Sequence, residues 1–212
     1  MTDFEVTSPV GRIVWGHPTK REVSKDDNGN IKYKDDGVTA KTYIAFGLAI
    51  PKAAFQQTVW PVMDQCIRSA FPNGAPPNCA YKFIDADTLD PKGVPYSQRE
   101  GYEGCIILSC TSYLDDAPSI FKRGANGADQ QLGPQQIKRG DYISVDLSFS
   151  PNVATSSTRK SGVYVNPGNI LLVQKGVEIF GGKSAEASFD HVNLQLPPGA
   201  QTMQQQPQTQ GQ

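Results

Sequence analysis

The sequence predicts an all-β fold with one short helix, on three observations. Residues 42–50 and 142–150 alternate apolar with small or polar side chains at the period of two that a half-buried strand requires. A single stretch has helical periodicity. The segments between are rich in Gly, Pro, Asp and Asn, the residues that punctuate strands with turns.

The elements follow in chain order. Residues 9–17 form a first, less regular β segment. In residues 42–50, Ile44, Phe46, Leu48 and Ile50 point one way and Tyr43, Ala45, Gly47 and Ala49 the other, so the second face is smooth and carries one ring. After Pro51, the apolar residues Phe55, Val59, Val62, Met63, Cys66, Ile67 and Ala70 fall on one helical face. Pro61 either kinks this helix or begins a shorter one, because it lacks an N–H and disfavours helical geometry at Trp60. Residues 81–85 and 105–112 add two β segments. In residues 142–150, Ile143, Val145, Leu147 and Phe149 point inward and Tyr142, Ser144, Asp146 and Ser148 outward. The pair 162–165 and 170–175 completes the set. Insertions at 26–29, 71–78, 87–100, 115–140 and 151–162 are long for connections, which marks them as functional lobes or mobile segments.

At 212 residues, 23.0 kDa and 38% hydrophobic content, the chain has material for one substantial core. No apolar run approaches the roughly 18–20 residues of a bilayer span, and residues 1–10 lack the basic start and hydrophobic block of a secretory signal. The expected location is therefore the cytoplasm, with no membrane partner. Cys66, Cys79, Cys105 and Cys110 match no paired zinc spacing and are expected to be reduced. Cys105 and Cys110 fall on opposite faces of one strand. With only His17 and His191 besides, neither a metal centre nor a cofactor is expected.

The net charge of −1 conceals a pattern. Residues 117–175 carry seven basic against three acidic side chains. Ten of the 20 basic residues form five close pairs at loops: Lys20 with Arg21, Lys32 with Lys34, Lys122 with Arg123, Lys138 with Arg139, and Arg159 with Lys160. Such pairs are either solvated loop decoration or a basic rim that tracks a phosphate backbone. Single-stranded nucleic acid also needs rings for its bases to stack on. Trp15, Tyr43, Tyr81, Tyr102, Tyr113, Tyr142 and Tyr164 occupy outward positions or strand edges, whereas Phe46 and Phe149 belong to the core.

Three stretches carry a resemblance to a known family. They are Ser8-Pro9-Val10-Gly11-Arg12 followed by residues 43–50, then Gly140-Asp141-Tyr142 leading into 144–149. The third is Gly162-Val163-Tyr164-Val165-Asn166-Pro167, running through 171–173 to Gly181-Gly182 and 185–189. The chain resembles the phage-encoded single-stranded-DNA-binding proteins, long catalogued as a domain of unknown function. The resemblance implies an OB-fold five-stranded barrel with long loop insertions spanning residues 1–191. It also implies sequence-tolerant binding of single-stranded DNA in phage replication, recombination or repair, with no catalysis. On this view phosphates lie along Lys32, Lys34, Lys122, Arg123, Lys138, Arg139, Arg159 and Lys160. Bases stack on Trp15, Tyr43, Tyr81, Tyr113, Tyr142 and Tyr164. RNA and the replication proteins of phage or host are further partners on the same view, and the sequence leaves DNA against RNA and the oligomeric state open.

Residues 192–212 are expected to form a disordered Gln/Pro-rich tail. From Asn193 onward there is no charged side chain and eight of twenty residues are Gln. Tails of single-stranded-DNA-binding proteins are commonly acidic and recruit partners, so that role does not transfer here. A rival reading takes Asp85, Asp87, Asp90, Asp115 and Asp116 as carboxylates for metal-dependent nucleotide chemistry. Asp85-Ala86-Asp87 fails the calcium-loop spacing, however, and no phosphate-binding glycine loop occurs. A third reading is a structural or adaptor β-domain of a virion.

Overall fold

The computed structural model describes residues 4–26, 28–125, 127–154 and 160–180. Nine strands form one sheet: β1 (Phe4–Thr7), β2 (Gly11–Val23), β3 (Thr42–Pro51), β4 (Phe83–Asp85), β5 (Cys105–Ser112), β6 (Ile120–Arg123), β7 (Asp129–Leu132), β8 (Tyr142–Asn152) and β9 (Gly162–Gln174). Their order is β4-β5-β3-β2-β8-β9-β6-β7, with β1 on β8. Within that order, the run β5-β3-β2-β8-β9 is the five-stranded barrel. Its two end strands, β5 and β9, pack against each other. A bridge from Ala80 to Gly162 reinforces the seam, with Ala80 N–H donating to Ser161 O at 2.8 Å and Val163 N–H to Ala80 O at 3.0 Å. This is the OB-like architecture, and β1, β4, β6 and β7 are additions to it.

The alternation read from sequence fills the barrel. Ile44, Phe46, Leu48 and Ile50 of β3 and Ile143, Val145, Leu147 and Phe149 of β8 are all buried in one cluster with Ile13, Ile106, Leu108, Cys110, Val163, Val165, Ile170 and Leu172. Met63, Cys66 and Ile67 close this core from the helix Trp60–Ala70, which lies against β1, β8 and β9. Pro61 is the second residue of that helix. One π turn, Phe55–Val59, precedes it, and Trp60 N–H bonds back to Phe55 O. The wider turn relieves the clash a proline ring makes with the carbonyl four residues earlier. Cys105 and Cys110 do face opposite ways, and burial drives the Cys110 thiol pKa up.

Several expectations are corrected. The segments 162–165 and 170–175 merge into one strand, which ends at Gln174, because a register shift between the Leu147–Pro167 and Val145–Ile170 pairs absorbs Gly168 and Asn169 as a bulge. The 115–140 insertion contains the β6–β7 hairpin, with β6 parallel to β9. β1 was too short to announce itself, yet it seats Phe4 and Val6 against the core. Tyr102 is buried rather than outward. The compact unit ends at Ile179. The expected boundary at 191, the Gln/Pro-rich segment 192–212 and the stretch 181–189 lie outside the described residues. Among the described residues no helix is long and apolar enough to cross a membrane.

A buried carboxylate fastens the two ends of the β8–β9 pair. Asp141 is fully buried and accepts from Lys138 N–H at 3.0 Å, Gly176 N–H at 3.0 Å and Lys175 Nζ at 3.1 Å. Burial pushes its pKa up, but these donors outweigh burial and hold the carboxyl below its ordinary value. A carboxyl whose folded pKa is depressed stabilises the fold above its unfolded pKa, about 3.9, and loses that contribution as pH falls through the folded value. Asp141→Asn is therefore expected to cost about 1–3 kcal/mol at neutral pH, and the difference from wild type should shrink below about pH 4. Urea unfolding at several pH values checks this. A difference constant across that window would remove Asp141 from the pH dependence.

Candidate nucleic-acid interface

The outer face of β3 and β5 is a narrow, nearly bare platform. The register sets Ala45 opposite Thr111, Gly47 opposite Ser109 and Ala49 opposite Ile107. One step beyond, Tyr43 meets Tyr113 with ring centroids 5.7 Å apart and planes tilted by 40°. At the other end Trp15 of β2, paired with Gly47, lies across the glycine, where any Cβ would overlap the indole. From Tyr43 to Gly47 is four strand residues, about 13 Å at 3.3–3.4 Å each. Beyond Gly47 the segment 86–104 folds over the sheet and buries Ala49 and Ile107 with Val14, Ala86 and Tyr102, and Trp15 and Tyr96 pack against this group. The platform is thus open at its tyrosine end and walled at its tryptophan end.

The open end is framed by cations. Lys41 Nζ sits 5.4 Å from the Tyr113 ring centroid, a cation–π distance. Arg21 donates Nε to Thr42 Oγ1 at 3.1 Å and both terminal nitrogens to Leu114 O. Among the described residues neither has a carboxylate in ion-pair range. Lys34 is paired with Asp115 at 2.6 Å, which ties the β2–β3 hairpin to the segment after β5. Lys32 is exposed at the neck of that hairpin, its carbonyl accepting from Lys41 N–H at 2.7 Å. Tyr43 donates its hydroxyl to Glu22 at 3.2 Å. Partial burial and this carboxylate raise its pKa, so the ring stays neutral.

Of the sequence candidates, Trp15, Lys32, Lys34, Tyr43 and Tyr113 therefore gather on or beside one platform. The others are spread around the barrel. Tyr81 packs with Trp60 and Phe83 beside the helix, at centroid distances of 6.1 and 6.0 Å. Lys122 and Arg123 lie on β6 beyond β9, and Arg123 is paired with Asp129 at 3.1 Å. Lys138 donates Nζ to Gly176 O at 2.7 Å within the Asp141 fastening. The Arg139 carbonyl accepts from Ile179 N–H at 3.4 Å. Tyr142 lies under the Arg12 guanidinium, 5.7 Å from its ring centroid. Tyr164 is exposed on β9 opposite Ser150. Lys160 is exposed in the β8–β9 connection, and Arg159 falls outside the described residues.

Sequence reasoning missed Lys41 and Lys82, and it named Arg21 only as half of a loop pair with Lys20, not as a neighbour of the platform. Lys41 is legible in retrospect, since positions 41, 43, 45 and 47 share strand parity. The place of Arg21 is not, because three extra β2 residues bulge out between the Gly16–Phe46 and Arg21–Ile44 pairs. The bulge is anchored by His17, whose Nε2 donates to Ile137 O at 3.1 Å; burial, foremost, lowers its pKa. Lys82, the one described non-glycine residue with positive φ, is exposed at the platform edge, its carbonyl accepting from Ser109 N–H at 2.8 Å. The suggested carboxylate cluster is dispersed: Asp85 and Asp87 pair with Lys52, Asp90 with Arg99 and Asp115 with Lys34. No group of three metal-ligating side chains occurs among the described residues.

No family model matches the chain, and no curated protein matches it. Solved structures do. The fold is similar to the C-terminally truncated single-stranded DNA-binding protein of bacteriophage Enc34, with TM-score 0.57 and 13% identity over 82% of this chain and 88% of that one. The same protein in complex with single-stranded DNA gives TM-score 0.55 and 15% identity over 84% and 89%. Gp2.5, the single-stranded DNA binding protein encoded by bacteriophage T7, gives 0.54 and 14% over 94% of this chain and all of that one. The OB-like fold of phage single-stranded-DNA-binding proteins is therefore the fold of this chain.

The Gly47 contact generates a direct test. Gly47→Ala is expected to expel the Trp15 indole and to lower stability by about 1–3 kcal/mol in urea unfolding. The Trp15 indole N–H resonance should move in the same variant. An unmoved resonance with unchanged stability would mean that Trp15 does not lie on the glycine.

Proposed function

We propose that this chain binds single-stranded DNA without sequence preference and serves phage DNA replication, recombination or repair by covering exposed strands. The observation that carries the proposal is the Tyr43–Tyr113 pair above a β3–β5 strip of small residues, flanked by Arg21 and Lys41, which have no ion-pair partner among the described residues. Aromatic rings accept any base because every base has a π face, and unpaired cations neutralise phosphates by displacing counterions. The small outward residues Ala45, Gly47, Ser109 and Thr111 leave room for a backbone to approach the sheet. They offer few groups that would select a base by hydrogen bonding. The similarity to a protein solved in complex with single-stranded DNA supports the reading.

The expected role is binding, not catalysis. Of the acidic side chains suggested for metal chemistry, Asp85 and Asp87 share Lys52, Asp90 pairs with Arg99 and Asp115 with Lys34. Phosphate contacts from the other basic loops, Lys32, Lys122, Arg123, Lys160 and Arg159 among them, extend the same proposal around the barrel rather than defining its centre.

Titration of a labelled oligonucleotide at two salt concentrations tests the function. Binding should weaken as salt rises, and a duplex of the same sequence should bind less tightly. Failure to bind single strands at low salt, or binding indifferent to salt, would overturn the proposal. Tyr113→Ala should weaken binding about tenfold with little change in salt slope, because a stacked base contributes about 1–3 kcal/mol. Lys41→Ala should instead lower the slope by about one. The matching RNA oligonucleotide measures how far the 2′-hydroxyl matters to this surface.

A further inference from the structure

The wall at the tryptophan end of the platform has a feature that the proposed function does not use. Segment 86–104 is firmly built. Ala86 N–H donates to Cys105 O at 3.1 Å, Ser97 N–H to Ala86 O at 2.8 Å and Tyr96 N–H to Thr88 O at 3.0 Å, and Leu89 bridges to Pro95. On it Arg99 lies over the Tyr96 ring, its guanidinium carbon 4.6 Å from the centroid, and stands 5.9 Å from the centroid of buried Tyr102. Asp90 holds one edge of the guanidinium, with Nη2 to Oδ2 at 3.0 Å. The Asp90 carboxylate is itself fixed by Lys92 and Val94 N–H groups at 2.9 and 3.0 Å.

The two sides of this ion pair are unequally covered: the Arg99 side chain is 50% exposed and that of Asp90 only 11%. Tyr96, Tyr102 and Asp90 all engage the guanidinium, yet half of the Arg99 side chain stays open to solvent. An arginine plane presented in this way is a stacking surface for a nucleobase. Tyr96 packs against the same apolar group as Trp15, which places Arg99 on the segment that walls the tryptophan end of the platform.

From this geometry we infer that Arg99, stacked on Tyr96, is a second base-binding station, which extends the DNA path from Tyr43 and Tyr113 past Trp15 onto segment 86–104. The ligand is an unpaired nucleobase of a strand already held on the platform. The inference rests on the proposed single-stranded-DNA binding and adds a far end to it. Lysine cannot substitute for arginine here, because an ammonium supplies charge without a plane.

The test uses the full chain with labelled oligothymidylates of about 5 and about 16 nucleotides, the span of lengths that single OB folds accommodate. Arg99→Ala is expected to weaken binding of the longer strand about tenfold with little change in its salt slope, because Asp90 already neutralises the guanidinium and a stacked base carries no charge. Binding of the shorter strand, seated at the tyrosine end, should be unchanged. Arg99→Lys should keep the slope and still lose most of the affinity. Wild-type affinity for the longer strand in both variants would overturn the inference, as would full recovery by lysine, which would reduce Arg99 to a point charge. Equal losses on short and long strands would trace the effect to disruption of segment 86–104 and would equally overturn it. Absence of wild-type binding to either strand would instead overturn the proposed function itself, so the two failures are distinct.

Discussion

The outer face of β3 depends on the missing side chain at Gly47. Because nothing projects there, the Trp15 indole lies directly on the backbone, and a Cβ would occupy its space. That single contact settles two things. It gives segment 86–104 an aromatic edge to pack against, which buries Ala49, Ile107 and Tyr102. It also marks where the cover stops, so that Ala45, Ser109 and Thr111 stay uncovered as far as Tyr43 and Tyr113. A strand with a bulky residue at position 47 could not serve both the covered and the bare part of the same face.

Charge on this molecule is informative only after pairing. Lys34, Lys52, Arg68, Arg99 and Arg123 each have a carboxylate in ion-pair range, and Lys138 and Lys175 share buried Asp141. A cation beside a carboxylate contributes little field at a distance, whereas one bonded to neutral oxygens or lying on a ring keeps most of its charge. Arg21 and Lys41 are of the second kind, and they stand at the tyrosine end of the platform. A near-zero net charge is therefore compatible with a locally positive groove, because most of the cancellation takes place elsewhere on the surface.

Strand parity made the barrel legible. Once β3 and β8 alternate, Ile44, Phe46, Leu48, Ile50, Ile143, Val145, Leu147 and Phe149 can face only one way, and Tyr43, Ala45 and Gly47 must face the other. What escaped were the places where parity breaks or length runs short. The β2 bulge displaced Arg21 from any alternating pattern, and the bulge at Gly168 and Asn169 hid the continuity of β9. β1, β6 and β7 are only four residues each, and the π turn before Pro61 leaves no signature beyond the proline itself. Adjacency in sequence was a weaker guide than parity. Lys138 and Arg139 look like one basic patch, yet the Lys138 ammonium is turned into the Asp141 fastening.

The same logic explains how this fold is shared at 12–15% identity with phage proteins of known structure. An OB-like barrel asks each strand for inward apolar volume, and Ile, Val, Leu, Phe and Cys exchange there at small cost so long as volume and parity are kept. Its outer face asks for no particular residue at all; smallness at a few positions and rings at its margins suffice for a ligand whose bases are all flat and whose backbone is uniformly charged. Neither demand preserves letters. Motif-length sequence resemblance can therefore fade while the pattern of inward and outward positions persists, and it is on that pattern, carried here by Gly47, Trp15, Tyr43 and Tyr113, that the proposed strand path rests.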